Sequence, residues 1–228
     1  MKEFVKQNTL FLSVAVIVLA VMIAALCIVP KAELHLVLNA RHTPFLDTFF
    51  HYYTLFVQWP VYVLMLLPLL FRRPVWTAMF AVAEGLSALI VQALKHLLNM
   101  PRPKTFFESL AEVQPDLFAA WQNTLVDGIH LHSWHSFPSG HTATFFVFFS
   151  LCAFLYAEKR LPCCQWFGLI CFLLALLGGY SRIYLSQHFL LDVTVGMAEA
   201  ILVSVFVFCL SKRLLRFPRG RRGISEAV

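Results

Sequence analysis

Apolar residues gather along this chain in six long runs, at about 9–29, 50–71, 75–97, 140–157, 163–183 and 190–211, with polar stretches between them. Most approach the roughly 20 residues a helix needs to cross the hydrocarbon core of a bilayer. The pattern predicts an all-α chain, a bundle of six transmembrane helices. The first run follows Lys2 and Lys6, as the core of a signal peptide would. Its apolar length of about 20 residues exceeds the usual 7–15, and no small-x-small cleavage site follows, so it is expected to remain as a helix. Leu26 before Cys27 also spoils a lipoprotein-type cleavage site.

Two polar stretches are long. Residues 30–49 carry Leu34, Leu36, Leu38, Phe45 and Phe49 between polar positions and are expected to lie along the outer membrane surface. Residues 101–138 are too many for a simple connection, and loops of that length usually carry function. Within them Leu117, Trp121 and Leu125 recur at i, i+4, i+8. That spacing predicts a short interfacial helix beneath which a lipid reaches the interior. No repeat, low-complexity tract or second domain interrupts the pattern, so residues 1–228 read as one multi-pass domain with a basic tail from about 212.

Composition sharpens this reading. Of 228 residues, 60% are hydrophobic and 13% charged, with a mean hydropathy of +0.74. Soluble domains carry about 25% charged residues, so the apolar surplus here must face lipid. A disordered chain and a nucleic-acid-binding domain are excluded on the same ground; the bilayer is the first partner. The net charge of +6 follows from topology. With the N-terminus in the cytoplasm, twelve of the 18 Lys and Arg fall on that side, including Arg72, Arg73, Lys159, Arg160 and the stretch from Lys212 to Arg222. Six fall opposite: Lys31, Arg41, Lys95, Arg102, Lys104 and Arg182. The bias predicts both termini inside the cell and the long loop outside. The six cysteines lie in or beside apolar runs, where they serve as small fillers rather than a disulfide framework.

Three polar groups then fall at the outer ends of helices. They are Lys95-His96-Leu97-Leu98-Asn99-Met100-Pro101-Arg102-Pro103, Phe137-Pro138-Ser139-Gly140-His141, and the stretch from Ser181-Arg182 through His188 to Asp192. The topology that the charge bias predicts puts all three on one side. Lys95, Arg102 and Arg182 supply cations suited to phosphate oxygens. Pro101 and Pro103 hold Arg102 extended. Ser139 can cap the fourth long helix, and Gly140 lets backbone N–H groups approach an anion at that helix start. His188 and Asp192 are spaced i, i+4; a carboxylate on one ring nitrogen fixes the tautomer and leaves the other free to attack. His141 is placed to protonate a departing oxygen.

These residues resemble the three-part signature of the type 2 phosphatidic acid phosphatase (PAP2) superfamily, K-x6-RP, PSGH and SR-x5-H-x3-D. Every signature position matches, in order, over about 100 residues. Asn39 through Asp47, with Thr43-Pro44, is similar to the outer segment before the second helix in bacterial members. The resemblance implies a membrane phosphatase with His188 as nucleophile, Asp192 orienting it and His141 as acid. Phosphate would be held by Lys95, Arg102, Ser139, Gly140 and Arg182. It also implies a bacterial lipid phosphatase of the inner membrane, acting on its outer face.

Other residues have blander readings. His130, His132 and His135 mimic a metal cluster but read better as loop residues at the rim. The cations stand where a metallophosphatase places carboxylate ligands, so neither metal nor cofactor is expected. Glu84 and Glu199 lie within the membrane runs, where hydrogen-bonded structural roles are expected, and Gly178-Gly179 permits close helix packing. Substrates that fit are undecaprenyl diphosphate, lipid A phosphate and glycerophospholipid phosphates such as phosphatidylglycerophosphate. An acidic loop with Glu108, Glu112, Asp116 and Asp127, and the Trp121 stripe, favour undecaprenyl diphosphate. The alternatives are a phosphotransferase, which would leave a phosphorylated acceptor, and a silent lipid-binding protein, which the intact His141, His188 and Asp192 argue against.

Overall fold

A computed structural model describes residues 2–216; Arg219, Arg221 and Arg222 of the expected basic tail lie outside the described residues. The described residues form helices without any strand, in agreement with the apolar pattern. In chain order these are α1 (Lys2–Gln7), α2 (Thr9–Ile28), α3 (Lys31–Leu38), α4 (Pro44–Tyr53), a 3-10 turn (Thr54–Val57), α5 (Trp59–Arg72) and α6 (Pro74–Leu98). After these come α7 (Pro103–Glu108), α8 (Pro115–Gln122), α9 (Gly140–Glu158), α10 (Cys164–Tyr184) and α11 (Leu190–Arg216).

Five helices are long and apolar enough to cross a membrane: α2, α6, α9, α10 and α11. The sixth run differs from a straight crossing. It begins earlier than its apolar stretch, at Pro44, and bends by 52° between Pro44–Val57 and Pro60–Arg72. Gln58 is extended (φ −67°, ψ 142°) and Pro60 opens the next helix, because proline suits a helix start and not its interior.

α9 is the central post. About 61% of its span is buried, against 17% for α2, so α2 is the lipid-facing flank and α9 the core. Phe145, Phe146, Leu151 and Phe154 on α9 are fully buried, Phe145 against Tyr53, Phe56 and Gly178, and Phe154 against Phe4, Phe11 and Phe208. Two glycines set the spacing. A Cβ at Gly178 would fall 2.3 Å from the Phe145 ring, and one at Gly196 would fall 2.7 Å from the Ser139 carbonyl oxygen. The α9 start therefore rests directly on the α11 backbone.

Charges separate toward the two ends. At one end Arg160 pairs with Glu3 and Lys212 with Glu158, and Lys159 and Arg73 flank the Trp76 ring. All four of these basic residues belong to the set assigned to the cytoplasm. The three polar motifs meet at the other end, beneath a cap made of α3, α7 and α8. α3 does more than lie on a surface: Leu34 and His35, with Asn39 at its C-cap, are buried beneath the packed loop. The Leu117, Trp121, Leu125 stripe is not formed, since α8 ends at Gln122 and Trp121 is 3% exposed. Its ring stacks on Phe107 at 5.3 Å, because a large aromatic gains more from a packed partner than from a partly solvated interface.

Candidate active site

Backbone geometry explains how each motif arrives. Asn99 ends α6 in the left-handed region (φ 39°), and Arg102 follows in extended conformation (φ −78°, ψ 168°) between Pro101 and Pro103. Its guanidinium is buried, with Nε donating to the Trp134 carbonyl at 3.0 Å and Nη1 to Gln187 Oε1 at 3.0 Å. Ser139 caps α9 as predicted, accepting from the Thr142 N–H, while its own N–H donates to the Asp192 carbonyl at 3.0 Å. Gly140 and His141 open α9 beneath that contact. Arg182 closes α10, buried, with Nη1 on Thr54 Oγ1.

His188 sits in the turn before α11, not on the helix, yet its pairing with Asp192 persists: Nδ1 faces Oδ2 at 3.4 Å. The same oxygen accepts the Phe189 N–H at 2.9 Å and the Ser136 hydroxyl at 2.5 Å. Asp192, the third residue of α11, thus reaches back to the helix start as in half of a capping box. Burial pushes the His188 imidazole down to about 3, so near neutrality the ring is uncharged. With Nδ1 on the carboxylate, Nε2 carries the free lone pair.

All eight predicted site residues occupy this one end. Lys95 lies in the field of Arg102, Asp192 and Arg182, and His141 in that of Arg182, His188, Lys95 and Arg102. The three loop histidines do not converge. His130 and His132 pack edge to face at 5.0 Å, whereas His135 lies tilted against His96 and bonds the Lys95 carbonyl. Among the described residues no group of His, Cys, Asp and Glu could hold a metal ion.

The structure adds residues that sequence reasoning missed. Ser186, in the left-handed region (φ 49°) two positions before His188, is a hub. Its oxygen meets Trp121 Nε1 at 3.1 Å, Asn39 Nδ2 at 3.0 Å and His35 Nε2 at 3.1 Å. Trp121 can only donate. Thr124 spends its proton on the Trp121 carbonyl and so accepts from Asn39, which fixes the Asn39 amide as a donor to Ser186 as well. The Ser186 proton is left for His35 Nε2, making His35 a neutral acceptor; burial pushes that ring down to about 3. Asn39 continues through His42 to Asp47, which accepts the Tyr184 hydroxyl at 2.5 Å. Gln187 and Ser136 sit next to predicted motif positions and were legible by adjacency. His35 and Trp121, distant in sequence, were not.

Beside His141 opens a cavity of about 540 Å³, lined by Val57, Tyr62, Val63, Glu84 and Thr144 among others. It lies between α5, α6 and α9, bordered by Gly140 and His141 at the α9 start.

The PAP2 superfamily model matches residues 74–216, a stretch containing all three motifs. Phosphatidylglycerophosphatase B from Bacillus subtilis is 30% identical over 162 residues, covering 69% of this chain and 70% of that protein. A lipid A 1-phosphatase from Porphyromonas gingivalis is 35% identical over 86 residues, which span 38% of this chain but 18% of that protein. The crystal structure of Aquifex aeolicus LpxE superposes with a TM-score of 0.60 at 27% identity, covering 78% of this chain and 94% of that one. The family model spans more than half of the chain and takes in all three motifs: the chain belongs to the PAP2 superfamily.

Proposed function

We propose that this chain is a multi-pass membrane phosphatase that removes a phosphate from a lipid through a phosphohistidine at His188. The observation that carries the reading is the convergence of Lys95, Arg102 and Arg182 on a neutral His188 whose Nδ1 is held by Asp192. Three cations and the N–H groups of the α9 start offset the charge of a phosphoryl group, which needs positioning and charge stabilisation above all. The His188 Nε2 lone pair forms the N–P bond as the bond from phosphorus to the lipid oxygen breaks. His141 gives its proton to that oxygen. Water then attacks phosphorus, His141 takes a proton from it, and the N–P bond breaks to release inorganic phosphate.

The site lies at the end of the bundle opposite Lys159, Arg160 and Lys212. The twelve-to-six distribution of basic residues supports cytoplasmic termini and a site on the outer face of the inner membrane. The named activities of the relatives, on lipid A and phosphatidylglycerophosphate, support a phosphorylated acyl lipid over undecaprenyl diphosphate. The test is phosphate release by the purified protein across a panel of these lipids in matched micelles. Release from at least one, lost in His188→Ala, is expected; release from none would overturn the reading.

A further inference from the structure

The wall of the His141 cavity carries polar groups that phosphate chemistry does not use. Glu84, on α6, accepts the Thr144 hydroxyl at one carboxyl oxygen, Oε1 (2.6 Å). Its second oxygen, Oε2, is buried without a protein hydrogen-bond partner, and so is the Tyr62 hydroxyl. Both residues line this cavity, from α6 and α5 respectively. Two unpartnered polar atoms on one apolar wall are costly unless a ligand engages them. Thr144 follows His141 by three residues, on the same helix face and about 4.5 Å further along the axis. The Glu84 carboxyl therefore stands about one helical turn below the group next to the leaving oxygen. A lipid whose phosphate lies beside His141 and whose body enters this cavity passes Glu84 and Tyr62 with its first few atoms.

We propose that Tyr62 and Glu84 determine specificity for an acylated lipid, Tyr62 by donating to an ester or amide carbonyl beside the phosphate and Glu84 by accepting from an amide N–H or hydroxyl there. This rests on the lipid phosphatase reading and narrows its substrate class. Glycerolipid phosphates and acylated sugar phosphates carry such polar groups within a few bonds of the phosphate. A polyprenyl diphosphate presents there a second phosphate, acceptor-only when ionised, followed by hydrocarbon, which leaves the Glu84 oxygen without a donor. A site built to bond a polar group discriminates strongly against an analogue lacking it.

The experiment measures kcat/KM in matched detergent micelles for phosphatidate, phosphatidylglycerophosphate, lipid A 1-phosphate and undecaprenyl diphosphate. The first three separate the possible acylated sources. Wild-type protein should favour the best acylated substrate over undecaprenyl diphosphate by about tenfold or more. Glu84→Leu should bring that ratio to within about threefold, chiefly through the acylated substrate, while Glu84→Gln, which keeps a polar head, should preserve most of it. Tyr62→Phe should lower the ratio in the same direction, and carries the test if Glu84→Leu does not fold. An equal or reversed wild-type preference, or losses by the same factor on every substrate, would overturn the proposal. Release from no lipid would instead sink the phosphatase reading. The proposal would then be decided by thermal stabilisation with phosphatidylglycerophosphate against undecaprenyl phosphate. Greater stabilisation by phosphatidylglycerophosphate, lost in Glu84→Leu, would sustain it, and equal stabilisation would contradict it.

Discussion

The proposed attack of His188 on phosphorus needs a free lone pair, and burial meets that condition by holding the ring uncharged near neutrality. The same burial links the site to stability. His35 and His188 are both held at about 3, below the ordinary value of 6.5, so between those limits the unfolded chain binds protons that the folded chain does not. Stability is complete above about 6.5 and falls as the pH drops toward 3. The thermal midpoint in detergent should therefore decline steadily from pH 7 to pH 4, and less steeply in His35→Leu. A flat profile in wild-type protein would contradict the neutral assignment of these rings. Ser136 is testable on the same scale. Its hydroxyl is one of three donors to Asp192 Oδ2, and a hydrogen bond to a charged acceptor contributes about 1.5–3 kcal/mol. Ser136→Ala should lower kcat by about tenfold or more with KM little changed; a change in KM alone would point to substrate binding instead.

At the scale of elements, the α9 start is held by contact with α11, where Gly196 lets the Ser139 carbonyl approach. Gly196→Val would place side-chain atoms on that carbonyl, destabilising the fold by about 1–3 kcal/mol and displacing Ser139 and His141. Activity should fall further than the thermal midpoint explains, and unchanged activity would show that the contact does not set the site. Much at this scale was legible in the sequence. Six long apolar runs become helices because length and composition suffice in lipid, and the three motifs could be assigned to one end from charge bias alone. The bend at 58–60 was missed because the apolar run continues through it, although Pro60 marks the spot. The cap was misread for a different reason. Trp121 fits a membrane-facing stripe in sequence, but its partners Ser186 and Phe107 exist only once the loop folds back over the third motif.

For the whole molecule, one end gathers Arg73, Lys159, Arg160 and Lys212, and the other gathers the phosphate-directed cations. Such a division predicts orientation. In a background without the six native cysteines, a cysteine at Asn123 should react with a membrane-impermeant thiol reagent in intact cells, and one at Leu161 should not. The reverse pattern would move the chemistry to the cytoplasm. Vanadate, which occupies a phosphate site as a five-coordinate mimic, should inhibit whichever face the site occupies, and activity should survive chelation by EDTA. Rapid quenching with a radiolabelled lipid phosphate tests the central claim most directly. Wild-type protein should yield a phosphoenzyme labile to acid and stable to base, absent from His188→Ala. Label that persists in His188→Ala would contradict the account.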